Sequence, residues 1–397
     1  MESEDQKKRG EETEAESIYR KLQKHLDRMP IGYPKTDSGI EIKILKDFFN
    51  EEEAEIATHL SMMPEMLWKV YIRIKLFSRS DRSRLKNITY EQLRKKLKDM
   101  GDRGIIISKY YLNGRITCYR QAMLAIGLYE FQANKLTKEF VEDLDDYWDE
   151  EFGDEMWSTK ENQLRTIPIE KSVEYKSQVY KYEDVRKLVT NARRIGVTNC
   201  VCRDGMDLKG ESCKQTELRE SCLVFDNVAD YYLNHDLARE ITAEKAFHIL
   251  EQCQKDGLVL QPGNSKRLDF ICTCCSCCCE VLRRVKNFPN PAEYYTLTYV
   301  ARVNNDDCKG CGLCAKNCPT DAISLSGDFA IVSNNRCIAC GLCVSNCPTG
   351  AVTFMKRSKI NKPPQKMLGL HLRILRKKHG PFYVAWLMIK FLLGFKV

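Results

Sequence analysis

The sequence of 397 residues lacks several features that identify common classes of protein. Its first residues form neither the basic segment nor the apolar segment of a secretory signal, so nothing in them predicts export. No G-x-G-x-x-G motif follows a predicted strand, which argues against a nicotinamide or flavin site of the Rossmann type. Residues 356–397 contain no Asp or Glu but eleven Lys or Arg. The formal charge of +8 therefore belongs to this tail and is not a general nucleic-acid footprint.

Cysteine is the residue type that the sequence has in excess. Twenty cysteines in a chain without an export signal do not predict a disulfide scaffold, because reducing compartments keep thiols free. Thiols in such numbers need metal to occupy them. The expected location is the cytoplasm of an anaerobic cell, since oxygen destroys exposed iron–sulfur cubanes. All the cysteines except Cys118 lie within residues 200–279 and 308–347.

The second of these regions contains one motif twice. The pattern C-x2-C-x2-C-x3-C-P occupies residues 308–319 and again residues 337–348. Two-residue gaps let a chain curl around one corner of an iron–sulfur cluster. A zinc site needs neither the third cysteine at the same interval nor a second copy of the motif. This stretch resembles a bacterial 2x(4Fe-4S) ferredoxin domain, built from two strand–loop–helix–strand units.

In ferredoxins of this kind the fourth cysteine of each motif binds the other cluster. The resemblance therefore implies two 4Fe-4S clusters that exchange single electrons, with Gly312 and Gly341 letting backbone N–H groups approach the cluster sulfur. The implied ligands of the first cluster are Cys308, Cys311, Cys314 and Cys347. Those of the second are Cys318, Cys337, Cys340 and Cys343. No catalytic residue is predicted, because neither cluster would have a vacant iron.

Residues 159–292 are predicted to form a Cys-rich α+β domain. A predicted strand over residues 197–203 would direct two of its cysteines to the same side, where they can share a metal centre with the next two cysteines of the chain. This quartet is predicted to bind either a third iron–sulfur cluster or zinc: Cys200, Cys202, Cys213 and Cys222. Within residues 272–279 adjacent thiols are expected to diverge, so that only a subset shares a centre: Cys272, Cys275 and Cys279. A reductase with its catalytic site in this region is an open alternative.

The N-terminal part is predicted to be mainly helical. Residues 1–39 are expected to comprise an acidic disordered segment, a short helix and a Pro-containing arm. Residues 40–158 are predicted to form a winged-helix-like domain that ends in a solvated acidic linker, made of a helix and then a hinge. A capping box at residues 89–92 and a hairpin signal at Asn113-Gly114 are its main indications. DNA binding by a redox- or metal-sensing regulator is the alternative, but the predicted recognition helix offers mainly Lys and Arg, so protein contacts are favoured.

Residues 357–397 form a basic and apolar tail with a predicted terminal amphipathic helix. The apolar segment after Gly380 is shorter than the about 20 residues that span a bilayer. Two roles are predicted for residues 366–397: an anchor lying on an anionic membrane surface, or a helix docked on protein. The first role would make the protein peripheral on the inner face of the membrane.

Together these segments predict an α+β multi-domain chain with a ferredoxin-like dicluster domain at residues 293–356. Their order is similar to that of a family of multi-domain 4Fe-4S ferredoxin-type proteins of anaerobic bacteria and archaea, over roughly residues 17–355. The resemblance implies an electron carrier or an oxidoreductase subunit that serves a redox partner protein or complex. It names neither donor nor acceptor, and it leaves open whether the chain is itself an enzyme.

Overall fold

The computed structural model of the chain describes residues 18–78, 83–111, 115–168, 184–358 and 360–397. They divide into two compact units. The first contains the described residues up to Thr159 together with His371–Val397, and the second is Lys160–Leu370. The predicted Cys-rich and ferredoxin-like domains therefore lie in one compact unit. The segment predicted to be disordered, residues 1–15, lies outside the described residues.

Helices and one small sheet build the first unit. The helix over residues 18–26 buries Ile18, Leu22 and Leu26, as their helical spacing predicts. Further helices are Ile40–Phe48, Glu51–Thr58, Leu67–Phe77, Tyr90–Asp102, Lys138–Tyr147 and Gly153–Trp157. The antiparallel strands, in spatial order, are Glu65–Met66, Ile116–Gln121 and Ile106–Tyr111.

Local sequence signals account for the helix Tyr90–Asp102 and the hairpin that follows it. The Thr89 side chain accepts a hydrogen bond from the Gln92 backbone N–H, and the Gln92 side chain accepts one from the Thr89 N–H, which confirms the predicted capping box. The stripe of Leu93, Leu97 and Met100 is buried. The next two strands pair in antiparallel register, whereas the Asn113-Gly114 turn predicted between them lies outside the described residues.

The acidic segment is not the solvated linker that its composition predicts. It forms the helix Lys138–Tyr147, a π-helical turn and the helix Gly153–Trp157. Its apolar side chains recur at helical intervals, and Phe140, Leu144 and Tyr147 are buried. The Tyr147 hydroxyl donates a hydrogen bond to the Pro34 carbonyl oxygen at 2.9 Å. Most of its acidic side chains lie on the opposite face of the helix. The segment therefore has the acidic composition of a linker although it is a packed helix.

The tail forms the helices Met367–His379 and Pro381–Leu392. Within the first unit Ile374, Leu375 and Leu387 are buried, whereas Phe382 is 89% exposed. The Lys396 ammonium donates a hydrogen bond to the Thr58 carbonyl oxygen at 2.5 Å. Part of the tail therefore docks on its own unit. Among the described residues, no helix has the length and apolar character that crossing a bilayer requires, and contact with a membrane surface stays a prediction.

The second unit contains a five-stranded antiparallel sheet. Its strands in spatial order are Arg239–Glu240, Ile195–Asn199, Glu220–Phe225, Phe270–Cys274 and Val259–Pro262. The helices around it are Val185–Thr190, Val201–Leu208, Asp226–Asn234, Ala243–Lys255 and Leu282–Val285. Cys253, on the helix capped by Thr242, is fully buried among Leu and Ile side chains.

The predicted strand over residues 197–203 is too long. The strand ends at Asn199, and Cys200 is the N-cap of the helix Val201–Leu208. The Cys200 carbonyl oxygen accepts hydrogen bonds from the backbone N–H groups of Arg203 and Asp204 at 2.9 and 3.0 Å. Asp204 lies in the first turn of this helix, where the helix dipole favours an acidic residue.

The C-terminal part of the second unit contains the predicted internal repeat. Each copy is a strand, a loop, a short helix and a strand. The first copy comprises Tyr299–Val303, Leu313–Lys316 and Ile323–Ser326, and the second comprises Phe329–Val332, Leu342–Ser345 and Val352–Lys356. The two outer strands pair with each other and the two inner strands do the same, both antiparallel. The two copies are thus related by an approximate twofold axis.

A buried ion pair in the first unit yields a stability prediction. Two hydrogen bonds of 2.7 and 2.8 Å join the Arg73 guanidinium to the Glu65 carboxylate, and Arg73 also donates to the His59 carbonyl oxygen. Glu65→Ala would leave the guanidinium buried and unpaired. We expect the free energy of unfolding of this unit to fall by about 3–5 kcal/mol.

Urea unfolding followed by tryptophan fluorescence measures this change, because all four tryptophans belong to the first unit. Lys98→Ala is the control. It breaks an exposed ion pair with Asp102 and should lower the free energy of unfolding by less than about 1 kcal/mol. Equal costs for the two variants would contradict the assignment of a buried, stabilising pair.

Candidate metal centres

Two glycines shape the loops that carry the motif cysteines. Gly312 and Gly341 are the N-caps of the short helices Leu313–Lys316 and Leu342–Ser345, with φ of +74° and +88°. Glycine adopts this left-handed backbone without the strain that a Cβ atom would cause. Each helix starts directly after its glycine, and its second residue is the third cysteine of the motif.

The eight motif cysteines surround two separate cavities. The lining of one cavity includes Cys308, Cys311, Cys314 and Cys347. The lining of the other includes Cys318, Cys337, Cys340 and Cys343. These are the two predicted ligand sets. Cys318 and Cys347 each lie at the cavity of the other motif, which is the crossing that a pair of clusters requires.

The two cavities differ in their exposure to solvent. Cys311 at the first cavity is exposed, whereas Cys337, Cys340 and Cys343 at the second are buried. Burial raises the pKa of the Cys340 and Cys343 thiols, so an unliganded thiolate is unfavourable there. The Ala322 backbone N–H donates a hydrogen bond to Cys318 Sγ at 3.1 Å. The first centre therefore lies nearer to the surface than the second.

A group of six thiols gathers at one face of the five-stranded sheet. Side chains alternate along a strand, so Cys272 and Cys274 share one face of Phe270–Cys274. Leu223 pairs with Ile271 in antiparallel register, which places Cys222 opposite Cys272. We call this set the six-thiol group: Cys200, Cys202, Cys222, Cys272, Cys274 and Cys279.

Hydrogen bonds between neighbouring thiols close the six-thiol group into a ring. Hydrogen bonds from Cys202 and Cys222 lower the pKa of the Cys200 thiol. Cys202 and Cys274 lower the pKa of the Cys279 thiol in the same way. Cys272 completes the ring through contacts with Cys222 and Cys274. Six sulfur atoms that converge in this way can share a metal centre.

A buried arginine supplies positive charge beside this ring. The Arg203 guanidinium is 0% exposed and donates hydrogen bonds to Ser221 Oγ at 2.6 Å and to the Thr273 carbonyl oxygen. Burial alone would lower its pKa, but the sulfur atoms of Cys200 and Cys222 outweigh burial and raise it. Arg203 therefore remains charged and offsets the negative charge of thiolates.

Four other thiols form a second group in the same unit, which we call the Cys213 group. Its members are Cys213, Cys275, Cys277 and Cys278, and all their sulfur atoms lie within 4.8 Å of one another. Residues 276–278 form a turn. In this turn the adjacent cysteines Cys277 and Cys278 converge, with their sulfur atoms 3.6 Å apart. The expectation that adjacent thiols diverge is wrong at this position.

The structure sorts the cysteines of residues 200–279 differently from the sequence prediction. It brings Cys200, Cys202 and Cys222 together but places Cys213 in the other group. It likewise brings Cys272 and Cys279 together and separates Cys275 from them. The prediction missed Cys274, Cys277 and Cys278 as members of these groups. Strand alternation could have identified Cys274, whereas no local signal links Cys213 with Cys275 across 62 residues.

The helix that the sequence suggests as a DNA-recognition helix carries paired charges. Lys96 contacts Glu52 at 2.7 Å, and Lys98 contacts Asp102 at 2.6 Å. Arg94 contacts the Glu91 carboxylate on the same helix at 2.8 Å. These carboxylates reduce the positive potential that Tyr90–Asp102 presents to a partner.

Comparison with known proteins identifies one segment of the chain. Residues 301–355 match the family of the 4Fe-4S dicluster domain. This segment is therefore a ferredoxin-type dicluster domain, and the two cavities belong to it. No curated protein and no solved structure matches the chain.

A crowded glycine allows a test of the first cavity. Gly310 lies between Cys308 and Cys311 with φ of +61°, and a Cβ atom there would be 2.8 Å from the Asp328 carbonyl oxygen. Gly310→Ala should therefore displace this loop. We expect the variant to lose about four of the about eight irons of the dicluster domain, measured as iron and acid-labile sulfide per chain.

Gly350→Ala is the matched control. Gly350 also has a positive φ, +70°, but a Cβ atom there would meet no described atom within 4 Å. This variant should keep the iron content of the unmodified chain. Equal iron loss in both variants would indicate that backbone strain, and not closure of the Cys308 loop, governs cluster retention.

Proposed function

We propose that this chain is an iron–sulfur electron carrier that passes single electrons through two 4Fe-4S clusters. The observation that carries this proposal is the sorting of the eight motif cysteines into two sets of four around separate cavities. When bound, the clusters supply one-electron exchange. Four thiolates at each cluster leave no iron open to a substrate, so these residues hold and tune the clusters and do not take part in bond chemistry.

The difference in burial supports a direction for the electron path. Cys311 is exposed at the first centre, and Cys340 and Cys343 are buried at the second. A redox partner protein can approach the first centre closely, whereas the second is screened from solvent. We therefore assign exchange with a partner to the first centre and internal transfer to the second.

The six-thiol group supports a third iron–sulfur centre behind the second one. Tyr295 interacts electrostatically with both: its pKa is raised by burial and by the sulfur atoms of Cys279 and Cys274, with a further contribution from Cys340. Its hydroxyl donates a hydrogen bond to Gln261 Oε1 at 2.9 Å. These interactions support transfer from the six-thiol group through the second centre to the first. A catalytic role for the six-thiol group stays a prediction.

The first unit and the tail fit attachment to a larger redox system. The order of helices, short strand, two helices and hairpin, with the short strand paired to the last strand, is the order of a winged-helix unit. We assign this unit to protein contacts and not to DNA, because Lys96 and Lys98 are paired with carboxylates. A salt-dependent shift of duplex DNA by the full chain would contradict this assignment.

Removing one crossing ligand tests electron transfer by the dicluster domain. The Cys347→Ala variant should lose the first cluster, because the three remaining cysteine ligands leave one iron of that cluster without a thiolate. The dithionite-reduced variant, freed of reductant, should deliver about one electron fewer to ferric cytochrome c than the unmodified chain. Its EPR spectrum should lose the features of two coupled clusters.

Cys118→Ala is the control for this experiment. Cys118 is a buried thiol of the first unit and should not affect either cluster. An unchanged electron count and an unchanged coupled spectrum in Cys347→Ala would contradict the proposed ligand set.

The third centre has its own test. Anaerobically purified protein should contain more than the about eight irons of two cubanes. Cys272→Ala should reduce the content to about eight and leave the coupled spectrum of the dicluster domain intact. Cys253→Ala removes a buried thiol of the same unit outside both thiol groups and should retain the full iron content. Eight irons in the unmodified chain would exclude a cluster at the six-thiol group and leave the two-cluster carrier standing.

A further inference from the structure

The Cys213 group is not used by the proposed electron path, and its geometry differs from that of a cluster site. The sulfur atom of Cys213 lies 3.7 Å from those of Cys275 and Cys277. The sulfur atoms of Cys277 and Cys278 are 3.6 Å apart, and all four lie within 4.8 Å of one another. The four thiols thus form a compact set.

These distances distinguish between three states of four cysteines. A disulfide would bring two sulfur atoms to about 2.05 Å, much closer than observed. A cubane places each thiolate on a different iron, so its ligand sulfur atoms lie farther apart than those around one ion. One tetrahedral zinc ion with Zn–S bonds of about 2.3 Å places its ligand sulfur atoms about 3.8 Å apart. The observed distances match the third state.

In these surroundings, thiolates that act as metal ligands need compensating positive charge. Cys275 and Cys278 are buried against the hydrophobic core of the second unit, and Cys213 and Cys277 pack on that core. Four thiolates in this position would be strongly destabilised without compensating charge. Arg219 interacts electrostatically with Cys213, and Arg203 with Cys275. These arginines offset part of the net charge of about −2 that a divalent ion with four thiolates retains, although Arg219 is also paired with Asp207.

We propose that Cys213, Cys275, Cys277 and Cys278 bind one zinc ion as a structural site. Four protein ligands leave no open position, which is the arrangement of structural zinc and not of catalytic zinc. The ion would join the loop around Cys213 to the turn at residues 276–278. That turn connects Cys274 to Cys279, so the zinc ion would also hold these two members of the six-thiol group in place.

Zinc content and zinc coordination test this proposal on the full chain purified without oxygen. We expect about one zinc per chain, and X-ray absorption at the zinc edge should give four sulfur neighbours at about 2.3 Å with no metal neighbour. Zinc-free protein, or zinc coordinated by nitrogen or oxygen, would overturn the proposal. Extra iron in place of zinc would overturn the zinc assignment.

Single-cysteine variants test which residues bind the zinc ion. Cys213→Ala should lose the zinc and keep the coupled EPR spectrum of the dicluster domain, which shows that the variant has folded. Cys253→Ala, the matched control within the same core, should keep the zinc. Retention of the zinc by Cys213→Ala would overturn the assigned ligands. Because zinc and iron are measured separately, failure of this proposal is distinguishable from failure of the electron-transfer proposal.

Discussion

Side-chain alternation along the strand Phe270–Cys274 decides which thiols of the second unit can meet. Cys272 and Cys274 point to one face, where the neighbouring strand supplies Cys222. Cys275 follows the end of the strand and leads into a turn that faces Cys213. A shift of one residue in this register would turn Cys272 and Cys274 to the opposite face and separate them from Cys222. The two thiol groups therefore depend on one strand being held in one register.

Charge is the second constraint on this region. Thiolates, not thiols, bind metal, and burial opposes the negative charge that each thiolate carries. Arg203 supplies positive charge from inside the protein: Ser221 and Thr273 hold its guanidinium, which interacts electrostatically with the sulfur atoms of Cys200 and Cys222. Its hydrogen bonds to the strand also tie the helix Val201–Leu208 to the strand Phe270–Cys274. One side chain thus contributes both to the charge balance and to the geometry of the six-thiol group.

Features that depend on residues close together in the sequence could be predicted, whereas features that depend on residues far apart in the sequence could be predicted only in part. The dicluster repeat could be predicted, because its ligands, glycines and short helices are encoded within one continuous motif. The capping box at Thr89 and the core stripe of the helix that follows it are similarly local. The groups between Cys200 and Cys279 were only partly predictable, because sheet register brings together residues far apart in the chain. The acidic helix Lys138–Tyr147 was misjudged since charge composition was weighed above the apolar stripe that packs it.

The most direct test of the account is the iron and acid-labile sulfide content of anaerobically purified chain, with EPR of the reduced protein. We expect more than about eight irons per chain and the spectrum of two coupled 4Fe-4S clusters. Fewer than eight irons in fully reconstituted protein, or a reduced spectrum without coupled clusters, would contradict the claim that the dicluster domain carries electrons.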